Sequence, residues 1–524
     1  LRPPPQVRQV DHAPEQPSAG QAVTISAKVT DPEGVAGITL AYQIVDPGAY
    51  IRQRDAAFET AWIELPMLDD GSAGDAVAGD DRYTAIIPAA VQAHRRLVRY
   101  RITTMDSGGS SVRVPLVDDP QPNFAYFCYD GVPAWSGANQ PGTSAAQEFP
   151  AELMADALPV YHLITNGTDA SNSQYSSGSQ DVRMWGTLVY DGVVYDHIQY
   201  YNRGEASTYR SGKNKWRFKF NRTHDFKARD LHGNSYKVGW KTMNFNACAA
   251  PWMPVNRGMA GFDEAVPHRL YQLAGVPSSN THWLQFRVIG GADEAPANQY
   301  AGDLWGLYLA VEHVDGRFLD EHDLPDGNTY KIRGGAGDKK NQGPTQPLDN
   351  SDWTPFWNTS SSTGTVTWWR DNFNLHTFYG FRAINRAAGN VDLRDSTNYY
   401  MYHHPDGRWN VIPWDLDMMY IPETHWSGVI RADACLSNGE IRIEFENRCR
   451  ELLDLLFSDS ARRGGQAAQV VDELASVLHP PGNEQSMVDV DQFMWNYNPR
   501  SINGHNGQFY VNPKSQNNRG GTWT

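Results

Sequence analysis

The sequence predicts a multidomain protein, an all-β sandwich followed by an α+β domain of two lobes. Three observations carry this. At 524 residues the chain is too long for one hydrophobic core. From about Val7 to Asp118, short alternating segments (VTISAKVTD, ITLAYQIVD, RYTAIIP, LVRYRITTMD) succeed one another between Pro, Gly and Asp turns, the pattern of an immunoglobulin- or fibronectin-like sandwich. From Leu158 onward, β-rich segments with one inserted helix precede a helical half. The expected division is therefore 1–125 for the sandwich, 126–157 for a linker, 158–500 for the two-lobed domain and 501–524 for an irregular tail. The lobes are expected to meet near residues 315 and 316.

Each element has its own justification. Inside the sandwich, MLDDGSAGDAVAGDDRY carries Asp69, Asp70, Asp75, Asp80 and Asp81. It reads as a tight Asp/Gly turn, with a calcium-supported turn (Ca2+ at Asp69–Asp81) as the alternative. GVPAWSGANQPGTSAAQEFPAE, rich in Gly, Pro, Ala and Ser, reads as a linker or as a strap over the next domain. In the second domain LPVYHLI, MWGTLVYDGVVYDHIQYYNRG, KWRFKFN, HWLQFRVIG and WGLYLAVEHV read as strands, and Phe262–Gly275 as the inserted helix. RGGAGDKK reads as a mobile segment near the cleft, and Val366–Ala388 as one buried helix. GEIRIEFEN reads as a strand pair flanked by Cys435 and Cys449, which could bridge in an oxidising compartment. CRELLDLLF and QAAQVVDELASVL read as amphipathic helices.

Composition narrows the function. A net charge of −15 without a basic run argues against a nucleic-acid backbone as the main partner. No run of 18 apolar residues exists, so no membrane span is expected. The chain opens at Leu1 rather than Met, read here as a processed amino terminus, and the lean is toward an extracytoplasmic (secreted or cell-surface) location. Oligomeric state is not legible in the sequence.

The most informative stretch is NRAAGNVDLRDSTNYYMYHHPDGRWNVIPWDLDMMY, from Asn385 to Tyr420. Asp392 is followed by Asn398, and then by an apolar strand ending in Asp415 and Asp417. Such a set suits a Mg·ATP phosphotransferase. Asp392 would orient the attacking hydroxyl, while Asn398, Asp415 and Asp417 would hold Mg2+ (or Mn2+) against the phosphates. Asp395 competes with Asp392, and Asn390 would order the loop. The six-residue spacing of Asp392 and Asn398, with no His-Arg before the acid, is not that of an ordinary protein-kinase loop.

GN-x-D, N-Y-Y and PWDLD in this order resemble the catalytic core of the CotH (spore coat protein H) kinase family. RGEASTYRSGKNKWRFKF (Arg203–Phe220) is similar to that family's RG-x-S-T-W…KKPYRIKL stretch, with Tyr209 and Asn214 as departures. The resemblance spans about Leu158 to Asn447. It implies ATP as nucleotide and Arg203, Ser207, Lys213 and Lys219 as nucleotide-binding residues. In WRFKF, Trp216, Phe218 and Phe220 share one face, and Arg217 and Lys219 the other. Lys219 is the first choice for the catalytic lysine, with Lys213 and Lys215 as alternatives and Glu264 as the helix acid that would fix it. Glu312, in a matching G-x-Y-x-x-x-E stretch, would contact the nucleotide or brace Lys219.

The expected function is thus an atypical secreted or surface kinase acting on Ser/Thr of coat or surface proteins. The alternatives are a non-catalytic surface or adhesion protein on a kinase-like scaffold and, less favoured, glycan binding or hydrolysis. No P-loop, HExxH, GxSxG or dinucleotide fingerprint is present.

Overall fold

A computed structural model describes residues 3–72, 74–176, 178, 182–204, 212–249, 258–334, 336–360, 364–420, 428–457, 465–500 and 507–510. The N-terminal domain has two antiparallel sheets. One joins Gln6–Ala13, Val23–Thr30 and Arg82–Ile87; the other joins Ile63–Pro66, Val35–Val45, Arg96–Asp106 and Ser111–Val114. Strict alternation in VTISAKVT buries Val23, Ile25, Ala27 and Val29 completely, against Leu40, Val98, Tyr100, Ile102 and Tyr126 of the facing sheet. Each such Val or Ile contributes about 1.5–3 kcal/mol.

The stretch 126–157 carries regular elements and packs on the second domain. Phe124–Cys128 pairs with Arg96–Asp106, Trp135–Ala138 with Ala146–Phe149, and Ala151–Asp156 is helical. Apolar anchors explain this: Trp135, Phe149 and Met154 are buried in the core of the second domain. The sandwich is also keyed to that domain by a dry ionic network. Arg99 donates to both Asp196 oxygens (2.7 and 3.0 Å), and Asn123 Nδ2 (2.9 Å) and the Thr187 hydroxyl (2.5 Å) donate to the same carboxylate.

The second domain begins with a closed barrel. Its strands run Val160–Ile164, Met184–Tyr190, Val193–Arg203, Lys215–Lys219, Thr242–Asn246, Leu304–Glu312 and Thr281–Ile289, in that spatial order. The parallel pairing of Val160–Ile164 with Thr281–Ile289 closes it. Trp216, Phe218, Phe245 and Phe286 fill the interior, with ring centroids 4.7 to 5.9 Å apart between neighbours. Helix Phe262–Leu273 is inserted before the Thr281–Ile289 strand, as expected. It starts at Gly261 (φ 87°), where a Cβ would lie 2.9 Å from Cys248 Sγ.

The helical body follows, built on a four-stranded sheet in the order Ala336–Asn341, Asn328–Arg333, Tyr399–His403, Trp409–Pro413. Three expectations are corrected here. Of RGGAGDKK, Arg333 ends one and residues 336–340 lie in the other of the first two of these strands, which pair antiparallel. Val366–Ala388 is two helices, Val366–Asn372 and Leu375–Ala388; the Asn374 side chain caps the second by accepting from Thr377 N–H (3.2 Å). GEIRIEFEN lies in helix Gly439–Leu452, and Cys435 and Cys449 are free thiols. Ile441 and Phe445 fit a period of two and also an i,i+4 helical stripe; the helix buries both and leaves Ile443 exposed. Among the described residues no helix is long and apolar enough to cross a membrane. Of the expected tail, 507–510 are described, with Phe509 and Tyr510 buried in the core.

Candidate functional site

Three barrel strand ends and one helix supply the upper wall of a cleft. Arg203 ends Val193–Arg203 and is in register with Lys215, the first residue of the next strand, and Asn246 ends Thr242–Asn246. Because side chains alternate along a strand, Trp216 and Phe218 enter the barrel while Lys215, Arg217 and Lys219 lie on the opposite face. Glu264 sits in the first turn of Phe262–Leu273.

The lower wall comes from the helical body. Strand Trp409–Pro413 runs into Trp414, Asp415 and Asp417, and helix Leu375–Ala388 leads into the loop of Asp392. The two loops are stitched by Tyr420 N–H to Ala388 O (2.6 Å) and Val391 N–H to Met418 O (3.4 Å). Asn390 orders the loop, its Oδ1 accepting from the N–H groups of Asp392 (3.2 Å) and Leu393 (3.1 Å). Asn398 and Asp415 both adopt left-handed backbone, with φ 69° and 60°. That conformation costs roughly 1–3 kcal/mol at a non-glycine residue and is held where the surroundings over-determine it.

Across the junction the charges pair. Lys215 Nζ lies 2.6 Å from Asp417 Oδ2 and 3.7 Å from Asp415 Oδ1, and Arg203 Nη2 lies 3.2 Å from Asp415 Oδ1. Arg203 Nη1 also donates to Asn246 Oδ1, and Asn246 Nδ2 donates to Glu264 Oε2. The Arg203 guanidinium stands 5.3 Å from the Trp414 ring centroid. Asn398 Nδ2 donates to the Asp392 carbonyl (2.9 Å) and carboxylate (2.8 Å).

Titration follows from this pairing. Burial works to raise the Asp415 carboxyl, but Lys215, Arg203 and Lys331 outweigh it and hold it down to about 2. Burial also works to lower Lys215, and Asp417 and Asp415 reverse the effect, so its pKa rises. Glu264 is pushed up to about 8 by burial, only partly relieved by Lys215 and reinforced by Asp417 and Asp263. Asp392 is raised by burial; its bond from Asn398 opposes this, and the charges of Asp417 and Asp415 add to it. Asp392 therefore feels the other two acids.

Of the residues singled out in the sequence, Arg203, Asp392, Asn398, Asp415 and Asp417 come together. Four do not, or cannot be placed. Ser207 lies outside the described residues. Lys213 is fully buried, its ammonium 2.6 Å from both Asp491 Oδ2 and Leu307 O. Lys219 shares a face with Lys215 but sits about 13 Å further along the strand, its ammonium 6.0 Å from the Tyr201 ring. Glu312 accepts from Asn280 N–H (3.0 Å) and pairs with His322 (2.9 Å), so it braces the connection between the bodies and not Lys219. The lysine facing the acids is Lys215, and Glu264 joins the same network through Asn246. The signal for Lys215 was present: on the cationic face of this strand it is the residue nearest the Gly/Ser turn. Asn246 and Lys331 carried no comparable signal.

The donors offered by Asp415, Asp417, Asn398 and Asp392 are carboxylate and amide oxygens, the chemistry a hard divalent cation requires. In the arrangement described, Lys215 and Arg203 supply the positive charge beside Asp415 and Asp417. Among the described residues, three carboxylates bring oxygens within 4.8 Å of one another at Asp69, Asp75 and Asp80 in the sandwich, not in the cleft. There Asp75 also accepts from Gly71 N–H (2.6 Å) and Val77 N–H (3.2 Å), and Asp69 from Gly79 N–H (2.6 Å) and Asp81 N–H (2.9 Å).

The barrel and the helical body meet at a basic wall, three acids and an amide, and the family match supports a kinase-like protein. The family described as CotH kinase protein matches residues 202–479, more than half of the chain, and the chain belongs to that family. The match covers every cleft residue named above and leaves the sandwich outside. No individually curated protein matches the chain.

Proposed function

We propose that the chain is an atypical protein kinase that transfers the γ-phosphate of ATP to Ser or Thr hydroxyls of extracytoplasmic surface or coat proteins. One observation carries the reading: Lys215 and Arg203 of the barrel meet Asp415 and Asp417 of the helical body, with Asp392 and Asn398 alongside. Mg2+ or Mn2+, when bound by Asp415, Asp417 and Asn398, would neutralise charge on the phosphates. Lys215 and Arg203 would then exchange their carboxylate partners for phosphate oxygens. Asp392 would orient the acceptor hydroxyl and take its proton. The acceptor oxygen bonds to the γ-phosphorus as the bond from phosphorus to the β–γ bridging oxygen breaks, and ADP leaves.

The test is transfer of labelled phosphate from ATP to the protein itself in Mg2+ and in Mn2+, read by mass. Asp415→Ala should lower incorporation by roughly a thousandfold or more while unfolding stays cooperative. Near-normal incorporation by that variant refutes the assignment. A wild-type protein that neither incorporates phosphate nor shifts its unfolding temperature with Mg·ATP is a kinase-like scaffold without the activity.

A further inference from the structure

Not every cation near the cleft is in an ion pair. Arg203 and Lys215 have carboxylate partners, but among the described residues Arg217, Lys219 and Lys331 have no ion-pair partner. Arg217 donates to the Asn244 side-chain oxygen (2.9 Å), and its guanidinium lies 6.0 Å from the Tyr201 ring. Lys331 is the unexpected member, because it comes from the helical body. It lies in strand Asn328–Arg333, opposite Tyr400 in the register of the sheet, and its ammonium stands 5.9 Å from the Trp414 ring that also carries Arg203.

Two further observations point to a ligand. Around Trp414, three buried polar atoms have no hydrogen-bond partner among the described residues: Trp414 Nε1, Tyr400 Oη and His313 Nδ1. The His313 and Tyr400 ring centroids lie 5.7 and 5.4 Å from that of Trp414. The hairpin bearing Lys331 is also tied to the Asp392–Asn398 loop, since Gly334 N–H donates to Ser396 O (2.9 Å). Burial pushes Lys331 down to about 8; Asp415 opposes this, while Arg203, Arg217 and Lys340 add to it. A half-buried ammonium crowded by like charges is a poor way to stabilise a fold and a good way to receive an anion.

We propose that Lys331 is a second phosphate-binding lysine, which grips the polyphosphate chain of a nucleoside di- or triphosphate from the side opposite Lys215. The proposal rests on the phosphotransferase reading. Arg203, Lys215 and Arg217 from one body and Lys331 from the other are spread along the cleft. That spread suits a chain of linked phosphates better than a single monoanion. A phosphate chain held from both sides would also draw the two bodies together over the acids.

Calorimetry with Mg·ATP, inorganic tripolyphosphate and adenosine tests this on the full chain. Lys331→Met should weaken Mg·ATP and tripolyphosphate at least about tenfold, the loss of one charge-assisted hydrogen bond, and leave adenosine unchanged. Lys331→Arg should restore most of the affinity. In the wild-type protein Mg·ATP should shield Lys331 from an amine-reactive label and adenosine should not, a readout that holds even if Lys331→Met fails to fold. Wild-type affinity in Lys331→Met, or labelling of Lys331 unaffected by Mg·ATP, overturns the role of Lys331 alone. A wild-type protein that binds neither Mg·ATP nor tripolyphosphate overturns this proposal and the phosphotransferase reading together.

Discussion

Two buried ionic regions lie on one strand of this molecule, and they are built to opposite plans. Val193–Arg203 carries Asp196 at the seam with the sandwich and ends at Arg203 in the cleft. At the seam both partners are sealed: Arg99 and Asp196 side chains have no exposure, and Asn123, Thr187 and the His197 N–H complete the carboxylate's bonds. In the cleft Arg203 and Lys215 are paired, but among the described residues Arg217, Lys219 and Lys331 form no ion pair, and Asp415 reaches Lys331 only through its field. The same residue types do different work according to whether their charges are internally complete. A closed set fixes geometry, and an open one waits for a ligand.

The comparison breaks first at the seam. Arg99→Met leaves the Asp196 carboxylate buried without its cation and should cost about 3–5 kcal/mol in urea unfolding. Adding Asp196→Leu should not rescue it, because Asn123 Nδ2 and the Thr187 hydroxyl then lose their acceptor. Both variants should unfold in one transition, since the sandwich and barrel share this network. If the sandwich were a loose appendage, it would melt alone and leave a second transition at the wild-type midpoint.

How much of this was legible depended on whether a feature is local. The sandwich was readable because VTISAKVT and its neighbours alternate strictly, and period two has one meaning in a half-buried sheet. Asp392, Asn398, Asp415 and Asp417 were readable because the cleft's lower wall is nearly contiguous in sequence. GEIRIEFEN misled because Ile441 and Phe445 satisfy both periodicities, and only packing chooses between them. The 126–157 stretch stayed open between linker and strap because its composition is loop-like, and it is Trp135, Phe149 and Met154 that anchor it to the second domain. The strand pattern put Lys215 on the cationic face, but the long-range partners that separate it from Lys213 were not legible. Lys213 is taken by Asp491, almost 280 residues away, and Lys215 by Asp417, about 200 residues away.

pH sharpens the contrast, because the two regions should respond with opposite sign. Asp196 is held below the usual carboxylate range: burial opposes its charge, and Arg99 and His197 prevail. Its stabilisation is present above the unfolded value of about 3.9 and is lost as pH falls through the folded one. Glu264 is pushed up to about 8, with Lys215, Asp417, Asp263 and Arg203 around it. Between about 4.3 and 8 the folded state keeps a proton that the unfolded chain has released, so this group's contribution falls as pH rises. Glu264→Gln keeps an acceptor for Asn246 and removes the titration. Relative to wild type, its stability should improve by on the order of 4 kcal/mol between pH 5 and pH 9, about 1.4 kcal/mol for each of roughly three pH units. A difference independent of pH would mean that Glu264 is ionised throughout.

The smallest expected effect separates the two lysines of one strand face. Lys215 contacts Asp417 and Asp415, whereas Lys219, without an ion pair among the described residues, stands 6.0 Å from the Tyr201 ring and partly in water. An exposed ammonium without a partner contributes little to binding beyond its long-range field, which salt screens within about 10 Å at 0.1 M. Lys219→Met should therefore change Mg·ATP affinity by less than about threefold, with the difference vanishing as salt is added. Lys215→Met should lose at least about tenfold at any salt, because the phosphates lose a donor and Asp417 loses its cation. Equal losses for the two variants would place the phosphate chain further along the strand, beside Tyr201, and Arg217 would then be the residue that bridges both lysines.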